Sequence, residues 1–262
     1  MNIFSVIGMV GTFAAIIISM YLGGTGVGPF LSLPSTFIVV VGSFMVVVTA
    51  GARAEDSIGM FKLMKMAFRT PNFGEQQIAK KFIALSEKAR REGLLSLEEE
   101  MEDIEDNFLQ SGLRLAIDGT DKEVILNLLD IEINKMQERH ARKHKIFDLW
   151  ALVAPACGMW GTVIGLVGMM AALGSDPGSV GQNMATALIT TLYGSVIANA
   201  VAIPIARKLR TYDADETNAR EMIIEGILSI QAGENTRILS QKLLAYLPPE
   251  DRKELEQLMK ND

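Results

Sequence analysis

Certain threonines, prolines and glycines draw attention in a part of this chain that is almost free of charge. Thr162, Thr190 and Thr191 lie between Asp148 and Arg207, an interval whose only charged residue is Asp176. Pro155 and Pro204 share that interval with Gly158, Gly161, Gly165, Gly168 and Gly194. A hydroxyl oxygen carries two lone pairs and can replace water around a hard cation. It becomes a nucleophile only beside a base, and the apolar stretches hold no His or carboxylate to serve as one. The chemistry on offer is therefore the handling of a small ion rather than the making or breaking of bonds, and the residues do not point to an enzyme.

The segment GMWGTVIGLVG, 158–168, repeats glycine at helical spacing, and Gly161 with Gly165 forms a GxxxG pair. Such pairs let helix backbones approach closely, so packing alone would account for them. Pro155, just upstream, removes a backbone hydrogen bond and can kink a helix. The partner segment MATALITTLYGSVIANAVAIP adds Thr186, Ser195 and Asn199 to Thr190 and Thr191, and places Ala187, Thr191, Gly194 and Ala198 on one face. Hydroxyls of membrane helices often bond only their own preceding carbonyls. Both segments nevertheless present a small, faintly polar face, which fits two helices lining a narrow wet path. An ion path normally carries an ionisable group. None stands within these segments, so a second membrane chain must supply the carboxylate.

The elements that position these residues follow from the charges. No Lys, Arg, Asp or Glu precedes Arg53, and every basic residue lies in 53–147 or after 206. About 20 apolar residues cross a bilayer core as a helix. Four spans are predicted, near 3–22, 30–51, 149–173 and 184–207, with GGTGVGPF and GSDPGSVG as turns between partners. A barrel would need alternating strands, which are absent from the pattern. The fold class is an all-α integral membrane protein. Residues 1–51 form the first pair of spans, 52–148 a helical cytoplasmic block, 149–207 the second pair and 208–262 a helical cytoplasmic tail. The basic residues place the block, the tail and both termini on the cytoplasmic side of the membrane. A net charge of −6 argues against nucleic acid as a partner.

Within the block, IAKKFIALSEKA sets Ile78, Phe82 and Leu85 on one helical face, ending at Gly93 as C-cap. LEEEMEDIEDNF repeats the pattern with Leu97, Met101, Ile104 and Phe108. A third helix is predicted from Thr120 as N-cap, with Glu123 closing a capping box and Val124, Leu128 and Ile131 as its apolar positions. Nothing stops that helix before Trp150, so it can run into the third span. In the tail, Leu209, Tyr212, Ile223 and Ile227 continue the fourth helix, and Pro248 and Pro249 end the last helical piece.

Other features carry less. GGTGVG lacks the preceding strand and soluble helix of a phosphate loop and reads as a tight turn. His140 and His144 are four apart, but RHARKHK borders a span and reads as lipid headgroup contact and topology signal rather than a metal site. Cys157 is the only cysteine, which excludes an internal disulfide. MNIFSVIG lacks a basic start and a cleavage site and reads as the first span, not a removed signal. No cofactor is implied beyond a transported cation.

At APACGMWGTVIGLVGMM, ALITTLYGSVIANAVAIPIA, ARREGLLSLE and LAYLPPEDR the chain resembles the A subunit of bacterial flagellar stators, the MotA/PomA family, over nearly its whole length. The resemblance implies a ring of five A subunits around two B subunits of the MotB/PomB type. The B subunit brings the membrane aspartate and a peptidoglycan-binding domain. Ion flow then turns the ring and, through the rotor switch protein FliG, the flagellum. It further implies that Pro155 and Pro204 are the two functional membrane prolines and that Thr191 stands beside the ion path with its neighbour Thr190. Thr162 occupies a position similar to the threonine of sodium-driven members, often alanine in proton-driven ones. Arg90 and Glu98 match rotor-contacting charges, with Arg91 and Glu99 as neighbours of the same kind. The tail departs at GENTR, where the resemblance leads one to expect proline in place of Thr236.

A hydroxyl cage suits sodium, whereas protons need none, so sodium is favoured as the coupling ion. Three rivals differ in kind. A TolQ/ExbB-like energiser of outer-membrane processes resembles a three-span design. A non-conducting scaffold would use the glycines for packing only. A self-contained transporter would need a membrane carboxylate of its own.

Overall fold

The computed structural model describes residues 3–50, 59–174 and 176–258, the last five by backbone alone. Among these residues there is no strand. Four helices are long and apolar enough to cross a membrane: α1 (Ile3–Leu22), α2 (Leu33–Ala50), α6 (Lys122–Ala172) and α7 (Pro177–Gln231). Between α2 and α6 lie α3 (Met60–Ala67), α4 (Glu75–Glu92) and α5 (Asn107–Ile117). After α7 come α8 (Thr236–Tyr246) and α9 (Pro249–Leu258). The end expected for the second span, residue 51, lies outside the described residues.

Compactness groups the chain differently from charge. One unit joins Met1–Thr70 to His140–Thr211, and the other joins Pro71–Arg139 to Tyr212–Asp262. In the first unit, Met60, Leu63 and Ala67 of α3 bury against Val47, Phe147, Ile205 and Leu209. Trp150 donates its indole N–H to the Ser43 hydroxyl at 3.0 Å, which satisfies both groups in an apolar setting. In the second unit, α4, α5, the start of α6, the end of α7 and α8 enclose one core around Phe82, Leu97, Leu113, Ile125, Ile227 and Leu243.

Several local expectations change. The helix predicted from Thr120 starts one residue later. Asp121 accepts from the Glu123 N–H at 2.9 Å and is the cap, since aspartate outranks threonine at that position. The Thr120 carbonyl instead accepts from the Gln231 amide. On α6 the buried face is Ile125, Leu129, Ile133 and Met136, whereas Val124, Leu128 and Ile131 are 46–56% exposed. The helix carries two adjacent apolar stripes, and periodicity alone cannot say which one faces the core.

The stripe Leu97, Met101, Ile104 and Phe108 is buried as predicted, but on a different backbone. Leu94–Leu97 and Glu99–Met101 are short 3-10 turns, and helix returns only at Asn107, where Asp106 accepts from the Leu109 N–H at 2.9 Å. Acidic pairs four apart, such as Glu98 with Glu102 and Glu99 with Asp103, oppose an α-helix through this run. The predicted turn GSDPGSVG is also shortened: Asp176 caps α7 by accepting from Gly178 N–H at 3.1 Å, and Pro177 opens the helix. Thr236 stands in the first turn of α8 after the cap Asn235, where proline is tolerated, so the departure at GENTR leaves the helix start intact.

The second unit's packing is tight at Gly226, where an added Cβ would lie 2.6 Å from Phe82 Cδ1 and Cε1. Phe82 is fully buried and its ring cannot swing aside. Gly226→Ala is expected to destabilise the protein by about 1–3 kcal/mol through overpacking, seen as a lower thermal unfolding midpoint in detergent; an unchanged midpoint would contradict a close-packed seam there.

Candidate functional site

Three threonines, Thr162, Thr190 and Thr191, gather where α6 and α7 meet. Both lie along one seam, and the glycines make it close. A Cβ at Gly158 would lie 2.9 Å from the Thr190 carbonyl oxygen, and one at Gly161 would overlap the Thr190 side chain. At Gly165 it would lie 2.6 Å from the Asn183 carbonyl oxygen, and at Gly168 2.8 Å from Asn183 Oδ1. From the other side, a Cβ at Gly194 would lie 2.7 Å from the Ala154 carbonyl oxygen and 3.0 Å from Pro155 Cα. Each glycine thus admits backbone or a polar side chain of the facing helix, which any Cβ would exclude.

Thr162 sits on the rim of this seam. Its Oγ1 is 2.7 Å from Thr191 Oγ1, 3.0 Å from the Gly158 carbonyl oxygen and 3.2 Å from the Ala187 carbonyl oxygen. Thr191 Oγ1 is 3.3 Å from that same Ala187 oxygen. Two hydroxyls own two hydrogens, and each oxygen has two lone pairs. After one bond between them, at least three lone pairs remain unspent on each other. Thr191 is exposed and Thr162 half-buried, so the pair stands at the edge of the helix couple. The cluster can accept from water or donate oxygen to a cation.

Thr190 behaves otherwise. It is fully buried, and its hydroxyl donates within its own helix, to Thr186 O at 3.0 Å or Ala187 O at 2.9 Å. Its side chain fills the space left by Gly161. One residue is about 100° around a helix, so adjacent threonines divide between seam and rim. Ser195 and Asn199 divide again. They bond each other's turn, Asn199 Nδ2 to Ser195 O at 3.0 Å, and line a separate groove of about 570 Å³ with Ser5, Thr12 and Pro204. The face Ala187, Thr191, Gly194 and Ala198 is therefore mixed: three members are buried and Thr191 is open.

Pro155 lies inside α6 without ending it, opposite Gly194. Pro204 follows a π turn at Ile197–Ala202. Proline cannot donate to the carbonyl four residues back, and widening the preceding turn is a common adjustment in a membrane helix. Cys157 is buried. One residue that the sequence did not single out, Asn183, and the carbonyl of one that it did, Ala187, also shape the site. Asn183 faces both Gly165 and Gly168, and the Ala187 carbonyl is shared by three hydroxyls. Their signal was their spacing, four residues apart and four before Thr191. Among the described residues no group of three His, Cys, Asp or Glu could hold a metal.

Arg90, Arg91, Glu98 and Glu99 lie apart from this seam, in the other unit. They flank the bend between α4 and the first 3-10 turn, and all four are exposed. Lys88 pairs with Glu100 at 2.7 Å and Glu99 at 3.7 Å. The hydrogen bond from Lys88 holds the Glu100 carboxyl below its ordinary range and raises the Lys88 ammonium.

Four apolar helices, two of them closed on each other along a glycine seam with paired hydroxyls at its rim, are the architecture of an integral membrane protein. Residues 100–222 match the MotA/TolQ/ExbB proton channel family. The chain is 48% identical over 256 residues to motility protein A of Treponema phagedenis, covering 98% of each. It is 38% identical over 247 residues to chemotaxis protein PomA of Vibrio alginolyticus, covering 94% of this chain and 96% of that one. The solved flagellar MotAB stator complex from Bacillus subtilis contains a chain that superposes with a TM-score of 0.86 at 31% identity, over 95% of this chain and 97% of that one. This chain belongs to the motility protein A group of the MotA/TolQ/ExbB proton channel family.

The seam makes a paired test available. Gly165→Ala is expected to force α6 and α7 apart and cost about 1–3 kcal/mol, read as a lower unfolding midpoint of the purified protein. Gly181→Ala, with nothing within 4 Å of its added Cβ, should leave the midpoint unchanged. Equal effects of the two would contradict a sterically closed seam.

Proposed function

We propose that this chain is the ion-conducting A subunit of a flagellar motor stator. It works in the bacterial inner membrane with both termini, the block and the tail on the cytoplasmic side. Five copies ring two B subunits of the MotB/PomB type, and each B subunit lends a membrane aspartate. Cation flow past that aspartate turns the ring, and Arg90, Arg91, Glu98 and Glu99 pass torque to the rotor switch protein FliG. Pro155 and Pro204 act as flexible points that couple ion occupancy to helix movement. Near-full-length similarity to motility proteins favours this reading over a TolQ/ExbB-like energiser.

The observation that carries the reading is the Thr162–Thr191 hydroxyl pair, open on a rim that owns no ionisable partner within its spans. Exposed apolar side chains such as Trp160, Val163, Val167 and Met170 lie on the same apolar helix and leave surface for further membrane helices. Oxygen ligands clustered around the Ala187 carbonyl support sodium as the ion, against the proton of the family's description. One monovalent ion crossing 100 mV releases about 2.3 kcal/mol. That energy can bias a step between two packings of helices, and a proline-softened helix lowers what such a step requires.

Thr162→Val and Thr191→Val keep the side-chain shape and remove the ion's oxygen. Loss of about 1.4 kcal/mol of coordination is a tenfold weaker affinity, so half-maximal swimming speed should need about tenfold more sodium, with unchanged membrane levels. Full speed in sodium-free medium, abolished by a protonophore, would contradict sodium coupling. Arg90→Glu should lower torque and be partly restored by reversing a rotor charge. Unchanged swimming in the single variant would remove Arg90 from the rotor contact.

A further inference from the structure

The bend after α4 holds an apolar side chain that folding does not use. Gly93 ends α4 with φ +90°, a conformation that side chains rarely adopt, and the backbone turns there. In the 3-10 turn that follows, Leu97 is fully buried and Leu94 packs on the core. Leu95, between them, is 71% exposed. Among the described residues of its unit it is the most exposed of the large apolar side chains.

A single exposed leucine is ordinary. Two further features set this one apart. The turn beneath it is fastened: Gly93 N–H donates to Ala89 O at 2.9 Å, Ser96 Oγ to Gly93 O at 2.7 Å, and Glu98 N–H to Leu95 O at 3.2 Å. Leu95 is thus presented at a fixed position, and a partner would not have to order it. Charges of both signs also flank it. Arg90, Arg91 and Glu92 precede it, Glu98 and Glu99 follow it, and all five are exposed, with Glu99 also 3.7 Å from Lys88. Exposed ion pairs across a wet interface contribute little. Interfaces draw their strength from apolar anchors that lose their water inside a ring of polar groups.

We infer that Leu95 is the apolar anchor of a protein–protein contact, seated in a recess of a partner that offers acidic groups to Arg90 and Arg91 and basic groups to Glu98 and Glu99. This rests on the rotor-contact reading of those four charges and adds the group that excludes water from them. A lipid surface does not fit, because two carboxylates beside the leucine would be drawn to the headgroups with it. The partner is the rotor protein of that reading, and a second copy of this chain is the alternative that loss of ring assembly in the test below would reveal.

The test uses the full chain in motile cells. Residence time of fluorescently tagged stators at the motor and torque at high load are measured for Leu95→Ala, Leu95→Met and Arg90→Glu, together with membrane level and ring assembly. Leu95→Ala is expected to shorten residence about tenfold and lower torque at normal level and assembly, while Leu95→Met, which keeps apolar volume, stays near wild type. Shortened residence in Arg90→Glu with wild-type behaviour in Leu95→Ala would overturn the anchor and leave the charged contact standing. Wild-type behaviour in both variants would overturn the rotor-contact reading as well. Reduced level or assembly in Leu95→Ala, or equal loss in Leu95→Met, would overturn the anchor by making Leu95 a folding or self-association residue.

Discussion

At Gly165 a methyl group would meet the Asn183 carbonyl oxygen at 2.6 Å, and at Gly194 it would meet the Ala154 carbonyl oxygen at 2.7 Å. The third and fourth spans therefore touch backbone to backbone along several turns. In lipid, helices gain no hydrophobic advantage by associating, so close packing and short polar contacts must hold them. Everything placed by these two helices inherits its position from that contact. Thr162 and Thr191 are 29 residues apart in sequence, yet their oxygens are 2.7 Å apart because the glycines of α6 put no side chain of their own between the helices beneath them.

The seam is closed and its rim is open, and the difference is one of rotation. Thr190 and Thr191 are identical in chemistry. One fills the gap at Gly161 and spends its hydroxyl on its own helix; the other meets Thr162 at the exposed edge. Pro155 is built into the same contact, opposite Gly194, while Pro204 lies past a π turn beside a separate groove. Movement at Pro155 would be felt at the seam directly. Movement at Pro204 would first be felt by the groove shared with Ser5 and Thr12.

Much of this was legible in the residues. Charge distribution located four apolar helices, and glycine spacing located the seam, because both are long-range regularities with one physical meaning. Phe82 and Leu85 faced the core as their period required. What failed were choices between near equals. Thr120 and Asp121 both can cap, and the carboxylate does. Val124 and Ile125 are adjacent and both apolar, and only the packed neighbours decide that Ile125 turns inward. The run from Leu97 to Phe108 has a helical period in its apolar residues, but its carboxylates oppose the helix, and the chain buries the same residues on tighter turns. Thr190 joined Thr191 in the reading of the path because the sequence cannot show which neighbour a seam will swallow.

The oxygens at the rim can hold a cation or water, but no acid within the spans can neutralise or relay it. On the function proposed above, the path is half of a conduit. The most direct measurement is ion uptake into sealed vesicles under an applied potential. The purified chain is reconstituted alone, with a single-span partner bearing a membrane aspartate, and with that partner changed to asparagine. Uptake is expected only with the aspartate-bearing partner. Uptake by the chain alone, or equal uptake with asparagine, would contradict a path completed in trans.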